Sequence, residues 1–402
     1  MRVIFSPRFL LLIVLFFYAV ACKKKPTLEF PEDAVTEIND TLARIQQSRT
    51  RYATLTPAYL ATKKPYIEHF ANKFWPLNST NISFLVAKDG QIIFEKYQGY
   101  ANKNKKTIIT AETPLHIASV SKVLTATAIL ELIDRGKFAL HTKVKSILKS
   151  FPYPDITVQT LLNHRSGLRN YAYFTEEKGV WDRKKPLTNS DLLRILGEKN
   201  ITTEYPNDTR FTYCNTNYAI LALIIEKITG LTFSVAMQEM VFKPLGMKNT
   251  YVFDYFKDKK TAIPSYKGNN AEIGIDYLDC VYGDKNIYST PQDLLKFDLA
   301  RNSPRFLKPD LFRKVFQGYS NERKGTKNYG LGIRMINWET GKNFYFHNGW
   351  WHGNTAAYIS LKDENVLIIA LSNKFNRNTY KVRDLAPLFG NYPFKVSVEL
   401  ED

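Results

Sequence analysis

An α+β fold, with one antiparallel sheet assembled from both ends of the chain and a helical region inserted between them, is predicted by three observations. Two short apolar runs, Ile82 to Lys88 and Gln91 to Tyr97, lie near the start and are separated by Asp89-Gly90. Comparable runs return near the C-terminus, at Gly330 to Ile336, Phe344 to His347, Thr355 to Leu361 and Val366 to Leu371. Between the two sets, the clearest apolar patterns have helical spacing rather than alternation. Strands at both ends with helices between them fit one sheet shared by the termini.

Taken in order, the chain opens on a segment with the character of an export signal. Arg2 and Arg8 precede an apolar stretch from Phe9 to Val20, about a dozen residues and too short for a permanent span. It ends in Ala19-Val20-Ala21-Cys22, which resembles a bacterial lipobox. That resemblance implies removal of residues 1–21 and lipid attachment at Cys22, hence a membrane-anchored lipoprotein of the bacterial cell envelope. Residues 22–56 read as a tether with a short helix from Asp33 to Arg51. Lys23, Lys24 and Lys25 would favour an anionic membrane surface. The compact domain is expected over residues 57–395, with a helical lobe at about 141–283.

Asp89-Gly90 is a strong hairpin signal, because a type I′ turn needs positive φ at both central residues. A helix is predicted from Val120 to Arg135, with Val123, Ala126, Leu130 and Ile133 on one face and Gly136 as its stop. A second runs from Asn217 to Thr229 and ends at Gly230. A third begins at Thr290-Pro291-Gln292-Asp293, an N-cap followed by a first-turn proline and an acid. Asp363-Glu364-Asn365 supplies the turn between the last two strands.

The bulk numbers bound the function. With 402 residues, 44% of them hydrophobic and 14% aromatic, the chain can bury a large core. The net charge of +18 is spread thinly, with no basic stripe interleaved with aromatics. This argues against nucleic acid as a partner and for a solvated basic surface facing anionic envelope material. Of three cysteines, lipidation of Cys22 would leave Cys214 and Cys280. Two thiols make no disulfide framework, and both are expected to be buried and unpaired.

Ser119-Val120-Ser121-Lys122 places a lysine one helical turn after a serine, on the same face. A serine hydroxyl needs a base to become a nucleophile, and a neutral lysine can serve. Burial and the helix N-terminus both favour the neutral amine, and the helix start leaves the Ser119 N–H free for an oxyanion. Tyr213, in Tyr213-Cys214-Asn215, could pass a proton between nucleophile and leaving group. The Asn215 amide could bond both Lys122 and a substrate carbonyl. His347-Asn348-Gly349 ends a strand, where the histidine could bind a substrate carboxylate and the glycine admit a ligand to the backbone. Each motif alone is weak.

Together, in this order, they resemble the penicillin-recognising serine hydrolases, the superfamily of serine β-lactamases, D-Ala-D-Ala carboxypeptidases and related esterases and peptidases. The flanks Phe84 to Gly90, Pro114 to Lys122, Ile156 to Leu168, Asn215 to Ala219 and Tyr288-Ser289-Thr290 are similar as well, so the resemblance covers about Ile82 to Asn373. It implies a β-lactamase/transpeptidase-like α+β fold, an antiparallel sheet flanked by helices with a helical lobe across a cleft. It further implies that Ser119 is acylated, that Lys122 and Tyr213 share the proton work, and that Asn215, His347, Asn348 and Gly349 line the cleft. The N–H of Trp350 would complete the oxyanion hole.

The sequence departs from the antibiotic-resistance pattern. His347 stands where lysine is usual, as in the esterase- and peptidase-like branches, and a neutral imidazole holds a carboxylate less firmly than an ammonium. Trp350 and Trp351 should narrow the cleft, and no separate glutamate suits activation of a deacylating water. The expected function is therefore an exported hydrolase of a small ester or peptide, acting through an acyl-Ser119 intermediate without a cofactor. A β-lactamase or penicillin-binding carboxypeptidase is the alternative enzyme, and a binding lipoprotein that keeps the fold is the alternative outside catalysis. His164 is expected to order its own turn. His347 and His352 lack a nearby carboxylate or cysteine motif, so no metal site is predicted.

Overall fold

A computed structural model of the protein describes residues 52–322 and 327–395. The segment read as an export signal, Cys22 and the helix expected at Asp33 to Arg51 lie outside the described residues.

The two apolar runs near the start form β1 (Ile82–Lys88) and β2 (Gln91–Gln98). Asp89 and Gly90 between them take φ of 51° and 75°, as a type I′ turn demands. The C-terminal runs form β3 (Lys327–Tyr329), β4 (Arg334–Asn337), β5 (Asn343–Trp351), β6 (Asn354–Leu361) and β7 (Val366–Ser372). All seven make one antiparallel sheet in the order β3-β4-β5-β6-β7-β1-β2, so Ser83 of β1 pairs with Leu371 of β7. The sheet is built from both termini, as the sequence pattern predicts.

Both faces of this sheet are covered, which explains the unbroken apolar run of β7. Val366, Ile368 and Ala370 pack with Ile67 and Phe70 of α1 (Pro57–Phe74), and with Val382 and Leu385 of the C-terminal 3₁₀ segment Arg377–Leu388. Leu367, Ile369 and Leu371 pack on the opposite side, in the cluster that holds α2 (Ser121–Asp134) and the inserted lobe. Within the lobe lie α3 (Asn189–Glu198) and α4 (Asn215–Thr229), the latter closed by Gly230 at φ 69°. The Thr290 side chain caps α5 (Pro291–Arg301) by accepting from the Asp293 N–H.

The structure revises three expectations and adds one helix. Of the strand predicted over Gly330 to Ile336, only Arg334 to Ile336 is strand, as part of β4; Gly330 to Ile333 is a turn between β3 and β4. Gly332 sits there at φ 86°, where a Cβ would lie 2.2 Å from the Ala126 methyl of α2, so the turn is pressed into the helix layer. The strand predicted to stop at His347 runs on to Trp351, paired with β6 throughout that extension. The lobe is not purely helical, because Ser265–Tyr266 pairs with Glu272–Ile273 and Tyr251–Val252 joins a small sheet with Ile287–Ser289 and Leu115–His116 from outside it. Finally, α1 was legible only through Thr56-Pro57. The threonine side chain accepts from the Tyr59 N–H, and the proline occupies the first turn.

Candidate active site

Ser119 lies in a single 3₁₀ turn, Ala118–Val120, that feeds α2. Ala118 holds φ at 48°, a conformation that costs a non-glycine residue about 1–3 kcal/mol and is found where neighbouring structure enforces it. The enforcing contact is visible. Gly349 of β5 lies so close to this turn that a Cβ there would meet the Ile117 carbonyl oxygen at 2.4 Å. The glycine was expected to admit a ligand; what it admits is the nucleophile turn itself.

One turn along, Lys122 is fully buried. Its Nζ donates to Ser119 Oγ at 3.1 Å and to the Asp284 carbonyl at 2.8 Å. The same nitrogen also lies 5.1 Å from the Tyr213 ring centroid and 5.7 Å from that of Tyr218. Tyr213 precedes α4, and its hydroxyl is buried without a hydrogen-bond partner; so is the Asn215 carbonyl oxygen. The bond expected between Asn215 and Lys122 is not formed. Two orphaned polar atoms beside a serine–lysine pair are what a site looks like when the substrate supplies the missing partners.

His164 holds this arrangement from behind. At φ 58°, its Nδ1 accepts from the Cys214 N–H at 3.2 Å and lies 3.1 Å from the Asn217 amide nitrogen. Its ring packs 4.4 Å from that of Tyr213. Burial, helped by the nearby Lys122 and Arg334 charges, pushes its pKa well below the usual range, so it stays a neutral spacer.

The third motif divides by strand alternation. His347, Gly349 and Trp351 face the lobe, whereas Asn348 and Trp350 project to the face that carries α1. Trp350 is 57% exposed there. The indole that stands on the cleft side is Trp351, 4.6 Å from the Lys285 ammonium. Asn348 and Trp350 can therefore serve chiefly through their backbone. His347 is fully buried, with Nε2 at 3.2 Å from the Tyr329 hydroxyl and Nδ1 at 2.9 Å from the Asn348 carbonyl. Burial pushes its pKa well down, with Arg334 and Lys122 adding to the effect. Both ring nitrogens are engaged, so the carboxylate-binding role expected of His347 is open to another group.

A cation that sequence reading passed over, Arg334, lies close by. β4 places its guanidinium 4.4 Å from the Tyr213 ring centroid, and it forms no ion pair among the described residues. An arginine directly after Gly330-Leu331-Gly332-Ile333 was the available signal.

A family model described as Beta-lactamase matches residues 77–388. The chain belongs to the beta-lactamase family. Among curated relatives, penicillin-binding protein 4* of Bacillus subtilis (strain 168) is 27% identical over 79% of this chain and 74% of its own length. A D-aminopeptidase of Cereibacter sphaeroides is 26% identical over 72% of this chain, which spans only 55% of that relative. In fold, a penicillin-binding protein from Bacillus halodurans superposes with a TM-score of 0.69 at 21% identity, covering 80% of this chain and 99% of the other. With D-aminopeptidases among its relatives, this member of the beta-lactamase family is a serine hydrolase.

The remaining predicted groups lie around that hydrolase site. Cys214 and Cys280 are both free and buried, and burial pushes each thiol up to about 11. His352 is separate from His347 and does have carboxylates beside it. Its Nε2 is 3.1 Å from Asp279, and Asp276 completes a group of possible metal ligands lying within 4.8 Å of one another. Asp279 already accepts from Trp351 Nε1 at 2.6 Å and from the Asp276 N–H at 2.6 Å, so the group is satisfied internally. It borders a cavity of about 410 Å³ that is also lined by His116, Asn286 and Trp351.

Proposed function

We propose that this protein is an exported, lipid-anchored hydrolase that cleaves small esters or peptides bearing a free carboxylate, through an acyl-Ser119 intermediate. The observation that carries the reading is the buried Lys122 Nζ at 3.1 Å from Ser119 Oγ, with the Tyr213 hydroxyl and the Asn215 side-chain oxygen left unpartnered beside it.

In this reading Ser119 Oγ attacks the substrate carbonyl carbon and its proton passes to the Lys122–Tyr213 pair. The oxyanion is held by the N–H groups of Ser119 and Trp350. Collapse of the tetrahedral species breaks the bond to the amine or alcohol, which leaves with the transferred proton. Water then attacks the acyl-serine, gives up a proton by the same route and restores the Ser119 hydroxyl. The names of the D-aminopeptidase relatives favour a D-configured peptide as substrate. Cys22 would carry the anchor that holds the enzyme at the cell envelope.

Intact-mass spectrometry of full-length protein extracted from membranes, after fluorophosphonate treatment, tests both parts. One adduct, absent from Ser119→Ala, is expected on a chain that begins at a diacylated Cys22. Well-folded wild-type protein without an adduct would sink the acyl-enzyme reading, and a mature chain beginning elsewhere would sink the anchor.

Arg334 supplies the carboxylate preference. A charged hydrogen bond contributes about 1.5–3 kcal/mol, so Arg334→Met should lower kcat/KM for a D-peptide with a free C-terminus by about 10- to 100-fold. The methyl ester of the same peptide should lose less than about threefold. Equal losses on both substrates would remove Arg334 from recognition.

A further inference from the structure

Beneath the site lies a buried charged cluster that the proposed mechanism does not use. Asp284 and Lys285 are 1% and 2% exposed, and Tyr171 is fully buried beside them. Lys285 Nζ donates to the Tyr171 hydroxyl at 2.7 Å and to the Val281 carbonyl at 3.1 Å. The Tyr171 hydroxyl donates in turn to Asp284 Oδ2 at 2.9 Å. The ammonium lies 3.7 Å from the other carboxylate oxygen, Oδ1, which has no hydrogen bond. Burial lowers the Lys285 pKa and raises that of Tyr171.

A buried ion pair is a poor source of stability, because desolvation offsets most of the attraction. Its position gives it another use. The Asp284 carbonyl accepts from Lys122 Nζ, and the adjacent Gly283 carbonyl accepts from Thr125 Oγ1 at 2.8 Å, so this segment grips α2 on the face that carries the lysine. The Tyr171 N–H donates to Thr216 Oγ1 at 2.8 Å, next to Asn215. The Lys285 ammonium sits 4.6 Å from the ring of Trp351, two residues past Gly349. One cluster thus touches all three motif segments: Lys122, the start of α4 and the end of β5.

We propose that Tyr171, Asp284 and Lys285 are positioning residues, a buried tie that fixes the three motif segments against one another and holds Lys122 at its working distance from Ser119. The inference deepens the acyl-Ser119 reading and rests on it. Misplacing a reacting group by about 1 Å can cost on the order of 100-fold in rate, so loss of the tie should appear in turnover before it appears in binding.

The test uses full-length Lys285→Met and the double variant Asp284→Asn/Lys285→Met, labelled with a fluorophosphonate over a concentration series. Lys285→Met leaves a buried carboxylate unpaired and should lower Tm by roughly 5 °C. The double variant removes both charges and should return Tm to within about 2 °C of wild type. The maximal labelling rate should nevertheless stay depressed on the order of 100-fold, with the half-saturating concentration within about threefold of wild type. A double variant that recovers both Tm and maximal rate would show a merely structural pair and overturn the proposal. If wild-type protein fails to label at all, the hydrolase reading falls by itself, and the tie is then decided by the crystal structure of the double variant. A Lys122 Nζ still held at 2.8 Å from the Asp284 carbonyl and 3.1 Å from Ser119 Oγ would overturn it, and a displaced ammonium would uphold it.

Discussion

Replacing Lys122 with methionine is expected to slow acylation of Ser119 by about 10,000-fold, the upper range for losing a positioned proton acceptor. Methionine keeps an unbranched side chain of nearly the same reach, with sulfur in place of Cδ and no terminal nitrogen. In the protein that nitrogen donates to Ser119 Oγ and to the Asp284 carbonyl. Fold stability should fall only modestly, since the buried amine is replaced by an unbranched apolar group, although the Asp284 carbonyl loses its donor. The check is stopped-flow hydrolysis of an activated ester, with circular dichroism on the same sample. A folded variant within about tenfold of wild-type rate would mean that Ser119 is activated by something else.

For Tyr213→Phe, a loss on the order of 1,000-fold in kcat should come with no loss of stability. The separation follows from the structure. The Tyr213 hydroxyl has no hydrogen-bond partner, so deleting it breaks no hydrogen bond of the fold and relieves a buried unsatisfied group. The ring would remain against His164 at 4.4 Å and above Lys122 at 5.1 Å. Thermal melts and steady-state rates on an amide and an ester substrate together decide it. The amide should suffer more, because its amine must be protonated to leave. A variant that melts well below wild type and loses both substrates equally would point to a packing role for the tyrosine.

How much of this was legible in the sequence depends on the range over which each signal acts. The Asp89-Gly90 turn, the Thr290-Pro291 cap and the glycine stops at 136 and 230 are local, governed by φ preferences and capping chemistry within a few residues. They lie where they were expected. Ser119 and Lys122 meet because the spacing of one helical turn already puts them together. The errors came where distant contacts decide. Gly330-Leu331-Gly332 reads as strand until α2 is in place to demand a turn. His347 reads as a cleft residue until Tyr329 and the Asn348 carbonyl occupy both its nitrogens. Two adjacent tryptophans look equivalent until the pleat sends one to each face of the sheet. Arg334 and the Asp284–Lys285 pair carry no motif and acquire meaning only from what the fold sets beside them.

The pairing of β1 with β7 has a consequence for how such a molecule comes into being. Ser83 waits for Leu371, so the centre of the sheet stays open until β7 has emerged. A loop of that length adds to the entropy of closure only logarithmically, yet contacts so far apart in sequence make folding slow. Ser119 and Lys122 are made early, but the strand that presses Gly349 against their turn is made late. A ribosome that stops before β5 and β7 would therefore leave no half-active remnant, and the growing chain would stay inert until those strands are made.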